Sequence, residues 1–160
     1  MNWKKLFISL ALCFSIPIIQ IVILFFSPHL DKEILLRPQF IIQDYAAMVA
    51  LLSSALAFYI IWNKHEKNER KVQQAKAIKF FIIQFVTQLL LGISSIFDSQ
   101  IVTFNPFIST GMLTIESILL FGLALYTTIL FRRIEMKAFF FNLPHLLFMG
   151  YLLGKTLLLS

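Results

Sequence analysis

The sequence has few charged residues and a single cysteine. Asp, Glu, Lys and Arg make up 14% of its 160 residues, whereas soluble domains carry about 25%. The residues AVILMFWYC make up 59%, and the mean hydropathy is +0.83. A domain of about 150 residues buries only about 70% of its unfolded surface, so a water-soluble fold could not cover this much apolar surface. The composition excludes a soluble domain, a disordered chain and, because Cys13 stands alone, an internal disulfide scaffold.

Five stretches are apolar enough to cross a membrane as helices, which requires roughly 20 residues each. Four of them indicate full spans. The fifth is shorter and contains Asn142, Pro144 and His145, so a re-entrant or interfacial segment is an alternative to a crossing. We predict one domain, residues 1–160, that forms an all-α polytopic helical bundle in the membrane. Its five spans are expected at about 6–26, 45–62, 80–97, 110–131 and 138–154.

The charged residues are unevenly divided between the two sides of this predicted bundle. With the N-terminus inside and five crossings, the inner side carries eleven of the fourteen basic residues and three acids, a net charge of +8. The outer side carries three basic residues and five acids, a net charge of −2. Because cytoplasmic loops are enriched in Lys and Arg, we predict a cytoplasmic N-terminus and an outer C-terminus, in a bacterial inner membrane.

The largest basic cluster, residues 64–79, admits a second interpretation as a nucleic-acid contact. Binding to single strands requires aromatic rings at stacking intervals, and the cluster lacks them. We therefore interpret the cluster as a topology signal and a contact for anionic lipid, and we expect no nucleic acid partner.

Polar residues inside apolar spans are candidates for function, because each one costs free energy unless it is partnered. Gln84 and Gln88 are four residues apart and so share one face of the third span, while Glu116 is the ionisable residue within the fourth. These three could line a polar ligand pocket. They could equally be interhelical hydrogen-bonding groups, and Glu116 could relay a proton.

Neither a metal site nor an enzyme is predicted. The three histidines are His29, His65 and His145, and the first two fall in loops on opposite sides of the membrane. Zinc needs three or four ligands, which this arrangement does not supply. The sequence also shows no nucleophile and base at catalytic spacing. One further segment, residues 27–44, mixes charges, prolines and large apolar groups, and it is either a lid at the outer surface or a solvated connector.

Several motifs resemble those of the TspO/translocator protein family, also called tryptophan-rich sensory proteins or peripheral benzodiazepine receptors. The run from Phe131 to Ala138, followed by Pro144 to Tyr151, has the spacing of that family's last two helices. Here His145 stands where the family has tyrosine, and Phe148 stands where it has tryptophan. Gln84 with Gln88 resembles its Gln-x-x-x-Asn, and Arg37 to Phe40 resembles its first-loop Lys-Pro motif. In contrast to the family's tryptophan-rich second helix, the stretch 41–59 has neither tryptophan nor proline.

The resemblance implies five helices around a cavity that binds porphyrins, sterols or other flat apolar ligands beneath the first loop. The ligand-binding residues that it implies, together with the polar candidates, are Gln84, Gln88, Glu116, Phe40 and Phe148. The sequence is also compatible with a homodimer. Two alternatives remain at this point: an accessory subunit of a membrane complex, and a small transporter or channel component. The second rests on residues 72–84, which resemble bacterial proteins similar to a chloroplast import-channel subunit.

Overall fold

A computed structural model of the chain describes residues 2–26, 38–64, 69–101 and 106–159. Within these ranges, the side chains of residues 2–19, 22, 45–64, 70–91 and 114–158 are described. The described part of the chain is almost entirely helical and contains no strand. Its five helices are α1 (Trp3–Phe26), α2 (Pro38–Asn63), α3 (Glu69–Ile101), α4 (Pro106–Ile134) and α5 (Met136–Leu159).

The helices are longer than the apolar spans, and this corrects the predicted connections. The predicted spans 45–62 and 80–97 leave residues 63–79 as a connection, but α3 already begins at Glu69. The segment from Glu69 to Lys79 is rich in Glu, Arg, Lys, Gln and Ala, which are strong helix formers, and so it extends the helix beyond its apolar part. Similarly, α2 begins at Pro38, a residue type favoured in the first turn of a helix. The predicted lid, residues 27–44, lies for the most part outside the described residues.

The fifth predicted span is one continuous helix of 24 residues that contains Pro144. At 1.5 Å per residue it is about 36 Å long, and it does not reverse direction as a re-entrant segment would. By length and composition, four helices in the described residues can cross a membrane: Tyr45–Asn63, Arg70–Leu91, Thr114–Ile134 and Met136–Leu158. The prediction of a helical membrane bundle is confirmed.

The five helices form a closed ring in the order α1, α2, α5, α4, α3, since each packs against the next and α3 packs back against α1. Cross-helix contacts give their directions: Lys5 at the start of α1 reaches the Trp62 carbonyl at the end of α2, and Asn142 of α5 contacts Thr128 of α4. Gln74 near the start of α3 reaches the Ile61 carbonyl near the end of α2, and Lys64 just after α2 reaches the Ile134 carbonyl at the end of α4. Helices α1, α3 and α5 therefore run one way, and α2 and α4 run the other. We call the end where α1, α3 and α5 begin the basic end.

Aromatic rings fill the interior of the ring towards the basic end. The Phe58 and Phe81 rings are nearly parallel, with centroids 4.4 Å apart, and they join α2 to α3. Phe81 also contacts Phe85 at 4.6 Å and Phe131 of α4 at 5.8 Å. All four phenylalanines are buried. Such offset or stacked ring pairs each add about 0.5–1.5 kcal/mol beyond the burial of their area.

A chain of hydrogen bonds joins α2, α5 and α4 inside the bundle. The Ser54 hydroxyl donates to Asn142 Oδ1 at 2.8 Å, and Asn142 Nδ2 donates to Thr128 Oγ1 at 2.8 Å. The Thr128 hydroxyl then donates to the Ala124 carbonyl one turn earlier, at 2.7 Å. These three polar side chains are fully buried, and the network satisfies them without water. It fixes the spacing of three neighbouring helices.

At the basic end, polar side chains satisfy the carbonyl groups that helix ends leave unpaired. The Gln74 amide on α3 donates to the carbonyls of Ile61 and Lys64 at the end of α2. Lys64 Nζ donates to the Ile134 carbonyl at the end of α4, at 2.7 Å. It also forms an ion pair with Glu135 at 2.9 Å. These hydrogen bonds stabilise the C-terminal ends of α2 and α4. The charge of Lys64 also complements the helix dipole of α4.

The hydrogen-bond chain predicts unequal effects for two adjacent serines. Ser54→Ala should lower the free energy of unfolding by about 1 kcal/mol, because it leaves Asn142 Oδ1 buried without a donor. Ser53→Ala is the matched control, since the Ser53 hydroxyl bonds only to the Ala50 carbonyl of its own helix. The measurement is denaturation of purified protein in mixed micelles. Equal losses in the two variants would contradict the role given to Ser54.

The Lys64–Glu135 pair predicts a pH dependence. The hydrogen bond from Lys64, with its charge, holds the pKa of Glu135 below its usual value of 4.5. The stabilisation is therefore complete above pH 4.5 and is lost as the pH falls through the lowered pKa of the folded state. Because the pair is partly exposed, its contribution is at most about 1 kcal/mol. Thermal unfolding should show a steeper loss at acid pH in the wild type than in Glu135→Gln.

A pair of polar side chains inside the helix ring

The central feature of the candidate site is a buried pair formed by Gln84 of α3 and His145 of α5. Gln84 Nε2 and His145 Nε2 lie 2.6 Å apart. The imidazole ring stacks against Phe85, with centroids 5.5 Å apart. Gln84 is 1% exposed and His145 is 0% exposed. The pair thus bridges two helices that are not neighbours in the ring, across its interior.

The hydrogen-bonding capacity of the pair is only partly used. Within the described part of the chain, four buried polar side-chain atoms have no hydrogen-bond partner: Gln84 Oε1, Gln88 Oε1, Thr127 Oγ1 and His145 Nδ1. Leaving a buried polar atom unpaired costs about 1–3 kcal/mol, so such atoms are few in folded proteins. Here they belong to residues of α3, α4 and α5, in contrast to the fully satisfied Ser54–Asn142–Thr128 chain.

The pair can present either a donor or an acceptor to a third group. When the Gln84 amide donates to His145 Nε2, the ring proton is on Nδ1, which is then a donor, and Gln84 Oε1 is an acceptor. A rotation of the amide by half a turn reverses both roles, since Oε1 then accepts from Nε2–H. Amide, imidazole and hydroxyl groups in an apolar interior suit hydrogen bonding to an amphipathic molecule.

The structure places the predicted polar residues at different distances from the pair. Gln88 lies one turn beyond Gln84 on the same inward face of α3, and it is half-buried with its Oε1 atom enclosed. Glu116 lies on α4, is half-buried and has a partner of its own. It shares a helix face with Thr127 but lies eleven residues, or about 16 Å, further along the helix. Gln88 is thus next to the pair, whereas Glu116 is towards the opposite end of α4.

The structure gives less information about the two aromatic residues predicted to bind a ligand, Phe148 and Phe40. Phe148 is half-buried on the flank of α5, and its ring contacts the exposed ring of Tyr151 with centroids 6.5 Å apart. The fully buried face of α5 contains Ala138, Asn142 and His145 instead. The side chain of Phe40 lies outside the described residues. The assignments of all five predicted ligand-binding residues stay predictions.

Neither His145 nor Thr127 is among the predicted ligand-binding residues, although each has a buried polar side-chain atom without a hydrogen-bond partner. His145 carried a signal, since a histidine replaced the expected tyrosine, but its partner Gln84 is 61 residues away. Thr127 carried none, because a single threonine in an apolar span is ordinary. Among the described residues, no group of three His, Cys, Asp or Glu side chains could hold a metal ion.

These features define the class of the protein, which is a polytopic helical membrane protein with a five-helix ring and a partly satisfied polar interior. The TspO/MBR family model matches residues 8–156, and the chain belongs to that family. The match includes residues 72–84, the segment on which the transporter or channel alternative rested. The family generally comprises binding and sensory membrane proteins rather than classical enzymes. Neither the curated proteins nor the solved structures give a match.

A double-mutant cycle tests the pair directly. Gln84→Leu and His145→Phe should each lower the free energy of unfolding, because each leaves the other partner buried with a lost hydrogen bond. The double variant should be more stable than the sum of the two losses indicates, by about 0.6 kcal/mol or more. The measurement is denaturation in mixed micelles. Strictly additive losses would show that the 2.6 Å contact contributes nothing.

Proposed function

We propose that this chain is a membrane receptor that binds a flat apolar ligand of the porphyrin or sterol class between its helices. The ligand would lie beside the Gln84–His145 pair, on the side away from the basic end. Burial of its apolar surface would drive binding at about 25 cal/mol per Å², and the polar atoms would orient it. The residues assigned to this role are Gln84, Gln88 and His145, with Thr127 at the margin.

The observation that carries the proposal is the set of four buried polar atoms without partners. In lipid, an unpaired amide or imidazole cannot be hydrated, so retaining it is costly unless another molecule pairs with it. A ligand with a hydroxyl, carbonyl or ring N–H group could supply that partner. The family supports the same interpretation, because its members are in general binding and sensory proteins.

The aromatic cluster favours a receptor over a channel. Phe58, Phe81 and Phe131 come from three helices and fill the interior next to the basic end. These close-packed apolar rings offer an ion no polar groups in this part of the described bundle. Glu116 therefore has no assigned role in ion passage within this proposal.

The proposal includes an orientation in an inner membrane. The described basic residues other than Lys155 are gathered at the end where α1, α3 and α5 begin. The excess of Lys and Arg on cytoplasmic segments would put this end, with the N-terminus, in the cytoplasm. The ligand would then enter from the opposite side or from the lipid.

Ligand binding is tested with purified protein in detergent and three probes: protoporphyrin IX, haem and a fluorescent sterol. Saturable binding of at least one probe is expected. Gln88→Leu and His145→Phe should weaken it by about tenfold each, the equivalent of one hydrogen bond of about 1.4 kcal/mol. Gln73→Leu is the matched control on the exposed face of α3 and should bind as the wild type does. An absence of saturable binding, or equal effects of Gln73→Leu and Gln88→Leu, would reject the proposal.

A further inference from the structure

The basic end carries more positive charge than the protein itself compensates. Two of its lysines, Lys5 and Lys64, are partly buried and bond to helix ends. Eight other cations are exposed, and we call them the cationic belt: Lys4, Arg70, Lys71, Lys76, Lys79, Arg132, Arg133 and Lys137. Among the described residues at this end, only Lys64 forms an ion pair with an acid. Eight clustered cations repel one another unless anions from outside the protein approach them.

The belt surrounds most of the bundle. Its members lie on α1, α3, α4 and α5, which are consecutive around the ring, and α2 is the one helix without an exposed described cation at this end. A soluble acidic protein would contact one face of such an end. A layer of lipid headgroups contacts its whole perimeter at once, and the distribution of the belt matches that second geometry.

Large apolar side chains are interleaved with these cations and are themselves exposed. Trp3 beside Lys4 is 70% exposed, and Val72 beside Lys71 is 71% exposed. Met136 is next to Lys137, and it is 48% exposed. Exposed apolar groups of this size are unfavourable in water, but they suit the boundary between headgroups and acyl chains. Both components of a phospholipid thus meet a complementary surface.

The position of the belt along α3 agrees with this boundary. Arg70 and Lys79 are nine residues apart, or about 13 Å along the helix. The deeper lysines can extend their apolar stems along the helix surface while their charged ends stay at the headgroup level. Lys76 Nζ lies over the Tyr126 ring, 5.7 Å from its centroid, and Arg132 lies over the Phe139 ring at the same distance. Cation–π contacts of this kind hold the charges at the surface of the bundle.

We propose that the cationic belt is a binding surface for anionic phospholipids, which it selects over zwitterionic ones by the charge of their headgroups. This surface is separate from the Gln84–His145 pair, and its role does not depend on the proposed receptor function. Each basic residue near an anionic membrane surface strengthens binding by about fivefold, so the eight residues of the belt together favour anionic lipids around the protein.

The test uses purified full-length protein in neutral detergent, to which phosphatidylglycerol, phosphatidylcholine or inorganic phosphate is added. Native mass spectrometry counts the bound lipids, and thermal unfolding reports stabilisation. Phosphatidylglycerol should bind and raise Tm, whereas phosphatidylcholine and inorganic phosphate should do neither. Measuring in detergent removes any effect of the variants on membrane insertion.

Two matched variants separate charge from side-chain identity. Replacing Arg70, Lys71, Arg133 and Lys137 with Gln should weaken phosphatidylglycerol binding by more than tenfold, since each lost cation corresponds to about fivefold. Exchanging Arg for Lys and Lys for Arg at the same four positions should preserve binding. Lys155→Gln, outside the belt, should also bind as the wild type does. Equal binding of the two phospholipids, phosphate binding as strong as that of phosphatidylglycerol, or unchanged binding in the Gln variant would overturn the proposal.

Discussion

Lipid offers no hydrogen bonds, and this constraint governs the interior of the bundle. Every polar side chain between the helices has to find its partner within the protein. Ser54, Asn142 and Thr128 meet this requirement together and fix α2, α5 and α4. One turn further along α5, His145 and Gln84 meet it only in part. The satisfied Asn142 and the partly satisfied His145 are thus about one turn apart on the buried face of α5.

The cations at the basic end fall into two groups, one partly buried and one exposed. Lys5 and Lys64 turn towards helix C-termini, where carbonyl groups and the helix dipole attract them. The eight other described cations are exposed, and none of them donates a hydrogen bond to a helix-end carbonyl in the described part of the chain, although Arg132 and Arg133 lie in the last turn of α4. The same residue types thus act within the fold in one case and towards the surroundings in the other. Total charge does not distinguish these cases, whereas the position on each helix does.

Much of the fold was predictable from the sequence. Because a charge buried in lipid is costly, each span appears as an apolar stretch with almost no charged residues. The shared face of Gln84 and Gln88 was also predictable, since it depends only on helical spacing. The pairing of Gln84 with His145 was not, because it depends on the order of helices around the ring. The start of α3 at Glu69 was not predicted, because hydropathy marks only the part of a helix that lies in lipid. Residues with high helix propensity extend the helix beyond that part, into water.

The stacked rings of Phe58 and Phe81 have a consequence for direction. They join α2 to α3 across the ring and, with Phe131, occupy its interior towards the basic end. Under the proposed function, a ligand at the Gln84–His145 pair would enter from the side away from the basic end or from the lipid, and not past these rings. Its occupancy would follow the concentration in one leaflet or one compartment, independently of the other. Under the proposed function, such a bundle would report on the ligand at one side of the membrane without moving any molecule across.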